Sequence, residues 1–341
     1  MTSPVVELDV GGRKCRVRSY NEAGSVLDGV HFVIADANSA QLAHLSEERS
    51  FVIEPGEGSK RWDIVGKILE KAAGLGLRRD STIAGIGGGV VCDLAAFAAA
   101  LYMRGTGLVL VPTTLVAMVY AAVGGKAAVD MAGVRNLAGT VYAADEVRIH
   151  RPFLSSLPER EYRSGLAEVL RTALIAAPKV EDLMRKSREA FLARDGSLLE
   201  DTIRRCVAAK ASLAERDPYD KGPRQSLNLG HSFGHGLEAV RHDILHGEAV
   251  AWGIGRALDA GLELGLTDPD FAASSRALLE DYGFTMRYPG VDPEAVLAAM
   301  RLDKKSGASG IRLVVPRESC SVSYETVDEA LVLKAIRGGL S

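Results

Sequence analysis

The 341-residue chain is expected to form an α/β N-terminal domain with a mostly parallel sheet, followed by a mainly α-helical C-terminal domain. Three observations predict this. Residues 5–111 alternate short β-branched runs with helical patterns, and from about residue 151 apolar residues recur three and four apart. Pro152 and Pro158 punctuate the junction, so the expected domains are 1–151 and 152–341. At this length two domains sharing one cleft are the leading expectation, with a single large α/β domain as the alternative.

In order, the first half reads "HFVIAD" from residue 31, "SFVIEP" from 50, the helical "RWDIVGKILEKAAGLGL" from 61, then "STIAGIGGG" from 81. "CDLAAFAAALYM" and "LVLVP" follow. Strands separated by helices pair in parallel through crossovers, and such an open sheet binds ligands beyond the carboxyl ends of its strands. "GIGGGVVCD", residues 85–93, leaves a strand and enters a helix. Glycines there let a backbone approach phosphate oxygens at a helix N-terminus, which gives the domain a Rossmann-like character, although the run is neither a clean GxGxxG nor a P-loop. Asp36, at the end of its strand, suits either a ribose hydroxyl or a helix cap.

The uncharged stretch Gly105–Gly125 is long enough to test as a membrane span. Pro112 and two threonines divide it, so strand, turn and buried helix is the better parse. The second half carries "REYRSGLAEVLRTALI", "VEDLMRKSREAFLAR", "SLLEDTIRRCVAAKASLAER" and "HGEAVAWGIGRALDAGLELG", all with helical spacing and no repeat.

Apolar residues make up 47%, charged residues 25%, and the formal net charge is only −3, which gives no electrostatic reason to expect nucleic acid or an anionic membrane as a partner. Cysteines 15, 92, 206 and 320 form no CxxC pair and read as reduced thiols of a cytosolic protein. The N-terminal residues lack the apolar core of a signal peptide.

Four of the seven histidines lie at 231, 235, 242 and 246, flanked by Gly230, Gly234 and Gly247. His231 and His235 share a helix face if helical, and His246 follows a turn, a pattern suited to a metal or acid–base site. Glu168 in "SGLAEVLR" is the best carboxylate candidate, with Glu238 and Glu248 open as alternatives. Arg104, Lys126, Lys210, Arg224, Lys304 and Lys305 stand in apolar or small-residue surroundings. Together they suggest a pocket for a multiply anionic small molecule.

The segments "GGGVVCDLAAFAAALYMRG", "VPTTLVAMV", "VGGKAAV", "SSLPEREYRSGLAEV", "LNLGHSFGHGLE", "LHGEAVAWG" and "LDKK", in this order, resemble the 3-dehydroquinate synthases of the sugar phosphate cyclases, over about residues 30–335. The resemblance implies an NAD-binding first domain, a metal- and substrate-binding second domain and an active site between them. It implies a divalent ion of the zinc type, with cobalt as the alternative, on Glu168, His231 and His246. His235 moves to the substrate side, so the same-face pair becomes one ligand and one proton-handling group. Lys126, Asn136, Lys304, Lys305 and Arg104, the last from a second subunit of a homodimer, would hold phosphate. Lys210 and Arg224 would take a carboxylate, and Asn228 would also meet substrate. NAD would touch Asp36, Glu57, Lys60, Gly88, Gly89, Asp93, Thr113, Thr114, Tyr120, Arg135, Phe153 and Ser156. The groups assigned to catalysis are His235, Lys126, Asp220, Arg171 and Lys210.

The implied reaction converts 3-deoxy-arabino-heptulosonate 7-phosphate to 3-dehydroquinate and phosphate by transient NAD oxidation, β-elimination, reduction and aldol closure. This chain departs from the family pattern at Tyr120, where an aspartate is usual, at Arg171 and Arg135 for lysines, at Asp130 for an asparagine and at Asp220 for a glutamate. The alternatives are therefore an amino-dehydroquinate synthase, another specialised cyclase, a metal- and NAD-dependent alcohol dehydrogenase, or a binding homologue without activity.

Overall fold

The computed structural model describes residues 4–302 and 310–340. By packing, the chain divides into two compact units, 1–158 with 196–220, and 159–195 with 221–341.

The first unit is built on a seven-stranded sheet in the order β1-β2-β9-β6-β5-β3-β4. Its strands are β1 (Pro4–Val10), β2 (Arg13–Ser19), β3 (Phe32–Asp36), β4 (Ser50–Ile53), β5 (Thr82–Gly87), β6 (Gly107–Pro112) and β9 (Glu146–Ile149). Only the β1–β2 hairpin is antiparallel, so the mostly parallel sheet is as expected. The central strands explain the pattern: Phe32, Ile34, Ile83, Ile86, Leu108 and Val111 are fully enclosed, as strands covered on both faces must be. Helices α1 (Ala37–Leu42), α2 (Trp62–Gly74) and α3 (Gly89–Leu101) form the crossovers. α3 buries apolar residues all round its axis and packs on β5 and β6. The uncharged stretch resolves as β6, a turn, and a short helical segment whose turn at Ala117–Ala121 is π-type. The helix is shorter than its apolar length suggested. Among the described residues no helix is long and apolar enough to cross a membrane. A separate hairpin, β7 (Lys126–Met131) with β8 (Val134–Val141), completes the part before residue 158.

The second unit contains α4 (Glu159–Ala176), α5 (Pro178–Lys186) and α6 (Arg188–Leu192), then α8 (His231–Val240), α9 (His246–Glu263), α10 (Pro269–Asp281), α11 (Pro293–Leu302) and α12 (Glu329–Gly338), with one hairpin, β10 (Ile311–Glu318) and β11 (Ser321–Val327). Helix α7 (Gly196–Arg216) lies between α6 and α8 in sequence but belongs to the first unit, because it packs on β1 and on residues 117–121. A single cut at 151/152 does not describe this division: helical spacing reports that α7 is amphipathic and is silent on which core its apolar face covers.

Helices α4 and α9 are enclosed along most of their length and form the centre of the second unit. Their approach depends on missing side chains. A Cβ at Gly247 would overlap the Ser164 carbonyl oxygen of α4, and one at Gly253 would overlap the Gly230 carbonyl oxygen before α8. Gly253→Ala is therefore expected to destabilise the protein by about 1–3 kcal/mol. Gly66→Ala, on α2 where an added Cβ meets nothing within 4 Å, is expected to stabilise it by about 0.5–1 kcal/mol. Urea denaturation of the two variants measures both, and equal midpoints would contradict the close-approach argument.

Candidate functional site

Three elements of the second unit each contribute one group to a compact cluster. Glu168 lies in the middle of α4 with no exposed surface, His231 is the first residue of α8, and His246 is the first residue of α9. Glu168 Oε1 stands 3.9 Å from His231 Nε2 and 3.4 Å from His246 Nε2. One donor atom from each of the three lies within 4.8 Å of the others. One carboxylate and two imidazoles form a mixed oxygen and nitrogen donor set, the kind that holds zinc-type ions while leaving a position open.

The three candidate carboxylates have different neighbours. Glu238, 5% exposed, lies behind His246 at 3.4 Å from Nδ1 while Nε2 faces Glu168. A carboxylate there fixes which ring nitrogen points inward. Glu248 instead pairs with Arg160 at 2.7 Å and accepts from the Leu245 N–H, capping α9. His235 is half-buried on the same face of α8 as His231, its ring 5.3 Å from the His231 ring and 6.0 Å from that of His246. With Glu238 and His246 it makes a second group of donor atoms overlapping the first. His242 is exposed and belongs to neither group.

Arg171, one turn beyond Glu168 and fully enclosed, places Nη2 at 2.6 Å from Glu168 Oε2 and Nη1 at 3.2 Å from His231 Nε2. The sequence marks Arg171 as a departure from the family's lysine and, through the resemblance, as one of the groups assigned to catalysis, without indicating its contact with Glu168. The i,i+3 spacing from Glu168 was the available signal for the pairing. Burial works against a charge on His246, but the Glu238 and Glu168 carboxylates outweigh it and raise its pKa to about 10.

In the second unit Arg224 is buried and Asn228 half-buried, both in the 3-10 turn Pro223–Asn228. Lys304 and Lys305 lie outside the described residues. A cavity of about 610 Å³ lies elsewhere in this unit. Its charges largely answer one another, through Arg256–Asp259 at 2.9 Å and Lys334–Glu263 at 2.7 Å, and it includes none of the cluster residues.

The remaining expected residues belong to the first unit. Gly88 is the N-cap of α3 and supplies no side-chain cap, which leaves that helix end open, with Gly89 as its first residue. Thr113 and Thr114 follow β6, and the Thr113 N–H donates to the Gly87 carbonyl at 2.9 Å, holding the two strand ends level. Asp36 caps α1, its Oδ1 accepting from the Ser39 N–H at 2.8 Å. Lys60, buried, pairs with Asp93 at 2.5 Å, approaches Glu57 at 3.8 Å and donates to Asn136 Oδ1 at 2.6 Å. Burial pushes the Asp93 carboxyl up, against the pull of Lys60. That network ties Asn136, expected at phosphate, to residues expected at the cofactor.

Lys126 pairs with Asp220 at 2.5 Å. Lys210, 4% exposed, stacks 3.7 Å over the Tyr120 ring and donates to the Tyr120 carbonyl. The aromatic residue that replaces the usual aspartate is thus a direct partner of this lysine. Phe153 is buried edge-on to His150 at 4.7 Å, and Ser156 donates to the Phe153 carbonyl at 3.0 Å. Arg104 and Arg135 are exposed, Arg104 in a left-handed turn at the end of α3.

A mostly parallel α/β unit and a helical unit carrying a carboxylate–imidazole cluster define a two-part protein with a metal-binding donor set. Comparison with known sequences makes this specific. Residues 50–164 match the 3-dehydroquinate synthase N-terminal family and residues 165–306 the 3-dehydroquinate synthase C-terminal family. A 3-dehydroquinate synthase of Xanthomonas oryzae pv. oryzae is 42% identical over 296 residues, 84% of this chain and 80% of that protein. The chain therefore belongs to the 3-dehydroquinate synthase family.

The fold is shared with a 2-deoxy-scyllo-inosose synthase crystallised with carbaglucose-6-phosphate, NAD+ and Co2+, at a TM-score of 0.88 and 24% identity over all of both chains. It is also shared with a 2-epi-5-epi-valiolone synthase of Streptomyces hygroscopicus with NAD+ and Zn2+ bound, at a TM-score of 0.86 and 23% identity over 97% of each chain.

The His246 environment has a consequence for the metal-free protein. Its folded-state pKa lies above the ordinary 6.5, so its contribution to stability is complete below about 6.5 and is lost as pH rises through about 10. In chelator, denaturation midpoints are expected to fall across that window, and His246→Gln to flatten the fall. Midpoints that rise there would contradict the assignment.

Proposed function

We propose that the chain is a carbon–oxygen lyase of the 3-dehydroquinate synthase type, which takes 3-deoxy-arabino-heptulosonate 7-phosphate to 3-dehydroquinate and phosphate. The observation that carries the reading is the convergence of buried Glu168 and His231 with half-buried His246 in one cluster. The donor set suits a divalent ion, zinc first and cobalt second, and such an ion would make a bound alcohol more acidic and polarise a carbonyl. The open N-terminus of α3 at Gly88 and Gly89, with Thr113 and Thr114 beyond β6, suits the pyrophosphate of NAD. That cofactor would supply a hydride acceptor and return the hydride within the same turnover.

The chain's own residues then divide the remaining work. Glu238 holds His246 so that Nε2 faces Glu168. His235, half-buried beside both imidazoles, would move a proton at the substrate. Lys126, held by Asp220, offers its ammonium to the departing phosphate, with Asn136 and Arg104 completing that cradle. Lys304 and Lys305 belong to the same assignment through the family match alone. Lys210 and Arg224 would take the substrate carboxylate, Arg224 through its planar fork, with Asn228 beside it on the same turn. Asp36, Glu57, Lys60, Asp93, Tyr120, Arg135, Phe153 and Ser156 would frame NAD, with Lys60, Asp93 and Asn136 prearranged by their mutual bonds. We assign a homodimer, through Arg104, and a cytoplasmic location, consistent with four free thiols.

The test is phosphate release from the heptulosonate phosphate with catalytic NAD and zinc. One phosphate per substrate without accumulating NADH is the expected result. Accumulating NADH without phosphate would replace this reading with a dehydrogenase, and turnover of the amino analogue alone would change the substrate. Glu238→Gln is expected to lower kcat/KM roughly 10–100-fold through loss of His246 orientation. An unchanged kcat/KM in that variant would remove Glu238 from the site.

A further inference from the structure

Glu168 has two oxygens with different neighbours. Oε1 faces the two imidazoles, at 3.9 and 3.4 Å, whereas Oε2 meets Arg171 Nη2 at 2.6 Å. Arg171 sits one turn further along α4, has no exposed surface, and brings Nη1 within 3.2–3.3 Å of both ring nitrogens of His231. A guanidinium does not give up its proton in a protein, so this positive charge persists whatever else the cluster holds.

We propose that Arg171 is a positioning residue that sets how tightly the divalent ion is held, and that in the metal-free chain it balances Glu168 in the ion's stead. This rests on the metal reading given above. Two physical consequences follow from its placement. Engaging Oε2 leaves Glu168 to offer a single oxygen, Oε1, toward the imidazoles, and fixes the carboxylate plane before any ion arrives. The same charge opposes a second cation nearby, and in an enclosed site that repulsion is weakly screened. The ion is consequently held less tightly than a neutral side chain at position 171 would allow. A lysine at this point would keep the charge but lose the fork that reaches Glu168 and His231 together.

The experiment measures the zinc dissociation constant by competition with a chromophoric chelator, and the thermal midpoint of chelator-stripped protein, for wild type, Arg171→Met and Arg171→Lys. His246→Ala in each background serves as the site control. Arg171→Met is expected to tighten zinc about tenfold or more while lowering the midpoint of the stripped protein. Arg171→Lys should fall between the two in both readouts. Zinc affinity in Arg171→Met equal to or weaker than wild type overturns the proposal, provided His246→Ala abolishes binding. If His246→Ala leaves binding intact, the metal reading itself fails, and the inference with it. Should Arg171→Met fail to fold, Arg171→Lys decides. Affinity equal to wild type or tighter, with a less stable stripped form, supports the proposal, and affinity weaker than wild type overturns it.

Discussion

The candidate metal site depends on three helices meeting closely enough to bring one carboxylate and two imidazoles to a common point. α9 reaches α4 at Gly247 and the turn before α8 at Gly253, both places where any side chain would strike a backbone carbonyl. Because His246 opens α9 and His231 opens α8, that approach fixes both imidazoles relative to Glu168. Burying a carboxylate is costly unless it is paired. Glu168 tolerates full enclosure because Arg171 and the two histidines surround it.

Much of this was legible in the sequence. The parallel sheet followed from β-branched runs separated by helical patterns, and the central strands are enclosed on both faces as such runs require. The clustering of histidines with glycines pointed to a segment whose imidazoles do lie together, and Glu168, singled out through its surroundings, lies beside them. Two kinds of fact were not legible. Periodicity could not say that α7 leaves the helical half to pack on β1, since an amphipathic face does not name its partner. Spacing also could not rank Glu168, Glu238 and Glu248, because their difference lies in direction. One faces both imidazoles, one stands behind His246 and one caps a helix.

The departures from the family pattern are partly explained by their contacts. Tyr120, standing where the family usually has an aspartate, lies under Lys210 and meets it through a cation–π contact and its own carbonyl. Asp220, shorter than a glutamate by one methylene, still reaches Lys126. Arg171 reaches two cluster members at once, which a lysine's single ammonium does less well.

The central claim is the identity of the ion's ligands. X-ray absorption at the zinc edge, on protein loaded with one equivalent of zinc, reads those ligands directly. The account predicts one ion bound by two imidazole nitrogens and one carboxylate oxygen, a signature that changes when Glu168 is replaced by glutamine. A spectrum unaltered by that substitution would contradict it, and would move the ion to the neighbouring group of His235, Glu238 and His246 or away from the cluster altogether.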